Sequence, residues 1–123
     1  MDVRRSSRAD GAANSDVVIT GDPLLERLWL ELQDARDPTP LAKLQQAERD
    51  IDLAQRASDR LDRLPVVIWH RIRERSHQVT TRLWVVDEFR GVSAHSRTAV
   101  VTLDLQAVLE LVGRHGDPTP ERA

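Results

Sequence analysis

The residues with the most chemical potential in this chain are Trp69, Arg71, Arg73, Arg82 and Trp84. Alternate residues of a strand share a face, so a strand over 66–73 puts Trp69, Arg71 and Arg73 on one side. Arg82 and Trp84 share a face of a following strand by the same rule. If the two faces coincide, the result is an arginine surface with two indole platforms. Such a surface suits phosphates and stacked bases. It suits an acidic protein groove equally well. Charge is unevenly spread. Residues 65–82 hold Arg71, Arg73, Arg75 and Arg82 against Glu74, whereas residues 15–34 hold Asp16, Asp22, Glu26, Glu31 and Asp34 against Arg27. The competing expectation is structural: the tryptophans are core, and the arginines pair with Asp87, Glu88 or the acidic segment.

Other chemistry is thinly represented. Asp87 and Glu88 form an acidic pair that, with His95, could do acid–base work if one pocket held all three. His70, His77, His95 and His115 lack the HxxxH or HExxH spacing of a metal site. The chain has no cysteine, which excludes thiolate ligands, a disulfide framework and a cysteine nucleophile. It contains no GxGxxG, GxxxxGK[ST] or GxSxG motif. No cofactor and no metal is therefore expected, and catalysis is not the leading expectation.

The elements that must position these side chains follow from pattern. Asp16–Thr20 is a β-branched run stopped by Gly21, which reads as a strand. Asp22-Pro23 opens a helix, with Leu24, Leu25, Leu28, Trp29 and Leu32 at helical spacing up to about Arg36. Thr39-Pro40 starts a second helix. Leu44, Ala47, Ile51, Ala54, Ser58 and Leu61 form its seam, Leu41, Ala57 and Leu64 widen it, and Pro65 ends it. The short connection makes the two helices an antiparallel hairpin. The segment 66–76 fits a strand or an amphipathic helix, and a strand is favoured because the strand-like stretches 79–88 and 97–103 need a third member. Leu105–Arg114 forms the last helix, capped by Asp104 and stopped at Gly113 or Gly116.

The expected fold class is α+β, a helical hairpin packed on a small, mostly antiparallel sheet in the order β-α-α-β-β-β-α. The domain is expected over 16–115, with a disordered tail at 1–15 and a second tail at 116–123. The sequence has 123 residues, a formal net charge of -2 and 3% aromatics. That balance argues against a nucleic-acid coat protein. Lys43 is the only lysine, and the preference for arginine matches a GC-rich, bacterial-like coding sequence. No apolar run approaches membrane-spanning length, and the N-terminus lacks the apolar core of a secretory signal, so a cytoplasmic location is expected.

The order β-α-α-β-β-β with an arginine-bearing sheet resembles the RelE/ParE-type toxins of bacterial toxin–antitoxin pairs. The stretch Thr81-Arg82-Leu83-Trp84-Val85-Val86-Asp87-Glu88 is similar to their penultimate strand. The resemblance implies RNA-phosphate contacts for Arg71, Arg73 and Arg82. The residues themselves point first to a small, non-catalytic interaction protein, acting as adaptor, regulator or assembly subunit through protein contacts or self-association as a homodimer. Nucleic-acid binding through Trp69, Arg71, Arg73, Arg82 and Trp84 is the alternative.

Overall fold

A computed structural model describes residues 2–5, 17–56, 63–93 and 96–115. Asp2–Arg5 (β1), Val17–Thr20 (β2), Leu28–Ala35 (β3), Leu64–Arg71 (β4), Gln78–Arg82 (β5) and Val100–Asp104 (β6) form one six-stranded sheet in chain order. Pro40–Arg56 (α1), Leu83–Arg90 (α2) and Leu105–His115 (α3) are the helices. The class is α+β, and the sheet is antiparallel except where β3 and β4 run parallel.

Asp22 caps a turn as its sequence context suggests. Its Oδ1 accepts the Leu24 and Leu25 amides at 3.0 and 2.9 Å. Gly21, at φ +94°, donates its amide to Glu26 Oε2 at 2.7 Å. The capped element is only one 3-10 turn, Leu25–Arg27. The helix expected up to Arg36 is replaced by β3, so the helical hairpin is not formed. Leu28, Leu30 and Leu32 also alternate at strand period, and β3 is paired on both sides: Leu30 registers with Val17 of β2, and Leu28–Ala35 with Leu64–Arg71 of β4. Those tertiary hydrogen bonds outweigh the helical spacing.

Parallel neighbours require a crossover, and α1 supplies it. Its seam residues Leu44, Ala47 and Ile51 are buried as expected, but they cover Trp29 and the sheet rather than another helix. Ser58 and Leu61 lie outside the described residues. Leu64 and Pro65 open β4, where a strand start tolerates proline. The strand favoured for 66–76 forms only as far as Arg71, and residues 72–77 make the turn to β5, so Arg73 does not continue the strand face of Trp69 and Arg71. The strand expected at 79–88 stops at Arg82, and Leu83–Arg90 turns into α2, burying Val85, Val86 and Phe89. Gly91, at φ +71°, terminates it, with the Val92 amide on the Asp87 carbonyl at 3.0 Å. α3 forms where expected, and Asp104 Oδ2 accepts the Gln106 amide at 2.9 Å.

Two layers flank the sheet. The face carrying Leu30, Leu64, Val66 and Val79 packs against Leu24, Val85, Phe89 and Val108, the main core. The opposite face carries Trp29, Val67, Trp69 and Thr80, partly under α1. Asp2–Arg5 is a strand where an unstructured tail was expected. Residues 6–16 and the expected tail at 116–123 lie outside the described residues.

Candidate functional site

The five arginine and tryptophan side chains do not converge. Trp69, Arg71 and Arg73 lie where β4 turns toward β5, whereas Arg82 and Trp84 lie at the other end of β5. In register Trp69 faces Gln78, so roughly 13 Å of strand separates Trp69 from Arg82, and Arg71 and Arg73 lie farther still.

Neither tryptophan offers a bare stacking platform. Trp69 is half-buried, and its indole N–H donates to Thr80 Oγ1 at 2.9 Å, which in turn meets Thr102 Oγ1 at 2.8 Å. Trp84 packs at the margin of the main core, and the Arg97 guanidinium sits 4.3 Å from its ring centroid. Arg82 is committed to the scaffold. Its Nε and Nη2 donate to Glu48 Oε2 and Oε1, both at 2.8 Å, and its Nη1 donates to the Thr98 carbonyl at 2.6 Å. The Glu48 carboxylate raises the Arg82 pKa above its ordinary value, with burial opposing. A cleft of about 240 Å³ opens beside this pair, lined among others by Ile51, Asp52, Trp84 and Arg97. Its lining mixes both charges.

The carboxylate site is not assembled either. Asp87 is buried in α2, and Glu88 pairs with Arg27 at 3.1 Å. His95 lies outside the described residues. No group of three or more His, Cys, Asp or Glu side chains that could hold a metal occurs among the described residues.

The β4–β5 turn does assemble a surface. The Ile72 amide donates to the Ala35 carbonyl at 2.9 Å, which brings Arg36 beside the turn. Arg36, Arg71, Arg73 and Arg75 are exposed, with no ion pair among the described residues. Ile72, 48% exposed, stands among them. Arg73 holds φ +80°, a conformation that costs any side chain with a Cβ. The turn's acids are Asp34, Asp37 and Glu74. Asp34 is engaged: its Oδ1 accepts from His70 Nδ1 at 2.9 Å, while His70 Nε2 donates to the Glu74 carbonyl. Both ring nitrogens therefore face acceptors, which favours the imidazolium. The hydrogen bond to Asp34, then the one to the Glu74 carbonyl, raise the His70 pKa above 6.5. The His77 ring stacks on His70 at 4.6 Å.

Of the sequence-derived candidates, Arg71 and Arg73 remain at this surface. Arg36 and Ile72 were missed. Arg36 reaches the turn only through the parallel β3–β4 ladder, and Ile72 lies in the segment 66–76, whose favoured strand reading gives no sign of an exposed turn there. The topology behind the RelE/ParE resemblance is also absent, because Leu28–Ala35 is a strand and the Thr81–Glu88 stretch is mostly helix α2. Among the described residues, no helix is long and apolar enough to cross a membrane. Compared with family models, curated proteins and solved structures, this chain matches none.

Proposed function

We propose that the protein is a small, cytoplasmic, non-catalytic interaction module that docks an acidic protein surface through its β4–β5 turn. The observation that carries this reading is an exposed isoleucine, Ile72, among four arginines without ion pairs among the described residues: Arg36, Arg71, Arg73 and Arg75. An apolar anchor with a guanidinium rim is the composition of a protein-binding hot spot. The backbone of Arg73 supports it further. A strained conformation at an arginine, where glycine would cost less, suggests that the side chain matters more than the turn's stability. The nucleic-acid alternative loses its stacking platforms, since Trp69 is bonded to Thr80 and Trp84 lies under Arg97. The arginines alone would still attract phosphates.

The test places a photo-crosslinking residue at position 72, and at Leu53 as a control that is 58% exposed on α1. Crosslinking is carried out in cells. A protein adduct specific to position 72, abolished by Arg71→Glu with Arg73→Glu, supports the reading. A nuclease-sensitive adduct, or none above the Leu53 level, overturns it.

A further inference from the structure

We infer that the chain pairs with a second copy of itself through the outer edge of β6, the two β6 strands running antiparallel about Val101. The inference is independent of the β4–β5 turn.

β6 is the last strand of the sheet, and among the described residues only β5 lies beside it. Two hydrogen bonds bracket that ladder: Leu83 N–H to the Ala99 carbonyl at 2.8 Å, and Leu105 N–H to the His77 carbonyl at 3.0 Å. Antiparallel ladders alternate, so Ala99, Val101, Leu103 and Leu105 direct their backbone groups at β5. Val100 and Thr102 therefore direct their N–H and C=O outward. The Asp104 N–H points the same way. At the upper end of the edge, Arg82 caps the Thr98 carbonyl at 2.6 Å.

Natural edge strands are usually blunted by a charge, a proline or a bulge. Val100-Val101-Thr102-Leu103 has none of these, and the one charge of β6, Asp104, is its last residue. The side chains of Val100 (39% exposed), Thr102 and Asp104 lie on one face of the edge and are open.

The charge pattern selects a second copy. β6 carries an acid at its C-terminal end, Asp104, and follows an arginine, Arg97, that has no carboxylate partner among the described residues. Antiparallel pairing of two copies brings these unlike charges together at both ends. Parallel pairing would set like against like. Centring on Val101 places Val100 opposite the partner's Thr102, and Asp104 opposite the partner's Thr98, next in sequence to the partner's Arg97. Centring on Thr102 would set Val100 against the partner's Asp104, an apolar side chain against a carboxylate. The first register is therefore the one inferred.

The absence of cysteine makes the test free of background. Across the inferred axis the two Val101 residues form a non-hydrogen-bonded pair, with Cα atoms about 4.5 Å apart, within disulfide reach. Val101→Cys should become a covalent dimer under mild oxidation, while Thr102→Cys and the exposed control Leu53→Cys stay without a disulfide. Light scattering of the unmodified chain should give twice the chain mass, falling twofold in Val100→Lys. A second variant, Thr102→Lys, keeps the test readable if Val100→Lys does not fold. Monomer mass at every concentration, or a Val101→Cys yield no higher than that of Leu53→Cys, overturns the inference. So does crosslinking through Thr102→Cys in preference to Val101→Cys.

Discussion

Arg82 and Glu48 are joined by two parallel 2.8 Å hydrogen bonds that clamp β5 to α1. Both side chains are less than one-third exposed, so the pair is screened less than a surface bridge. Glu48→Ala should cost about 1–2 kcal/mol, because it leaves a largely covered guanidinium without its fork partner. Urea unfolding measures this. Binding through the β4–β5 turn should not change, since Arg82 lies at the opposite end of β5.

Ile51 and Leu53 lie two positions apart on α1 with opposite fates, 6% and 58% exposed. Ile51→Ala should destabilise the fold by about 2–4 kcal/mol through the cavity left against Trp29. Ile51→Asp should destabilise the chain more, because it puts a carboxylate into the apolar contact with Trp29 and Ala47 at a position only 6% exposed. Leu53→Asp should be tolerated. Circular dichroism melts of the three variants decide whether α1 packs through this seam.

Arg73 sets stability against binding. Arg73→Gly relieves the positive φ and should raise stability by about 0.5–1 kcal/mol. The same variant removes a cation from the rim around Ile72, so it should weaken partner binding. A variant that is both more stable and equally competent to bind would show that the strain serves no contact.

His70 links the turn to pH. Its folded pKa is raised above 6.5, first by Asp34. The protonated form is the one the fold favours. Its contribution is fully present below pH 6.5 and is lost as pH rises through the folded pKa. In a ring-proton NMR titration, Asp34→Asn should lower the His70 pKa toward the ordinary value. Local hydrogen-exchange protection of residues 70–77 should fall over the same pH rise.

Local chemistry by itself determined several parts of this protein. The Asp22 and Asp104 caps, the α1 seam through Leu44, Ala47 and Ile51, and α3 are each written within a few consecutive turns of sequence, and each forms. The strand over 66–71 was legible from its β-branched run and the need of its neighbours for a partner. Tertiary structure decided the rest. Leu28–Ala35 satisfies both the helical and the strand period, and only the ladder to residues 64–71, far along the chain, selects the strand. Leu83–Arg90 carries β-branched residues, yet burying Val85 and Phe89 against the main core, with Gly91 free to end the helix, selects α2. The candidate site was rearranged for the same reason. Arg82 and Trp84 read as partners of Arg71 and Arg73, but strand length carries them to the far end of β5, where Glu48 and Arg97 engage them. Caps and seams are interactions between near neighbours. Ladders, ion pairs and edges join residues that sequence spacing does not bring together, and their energies exceed the local preferences they override.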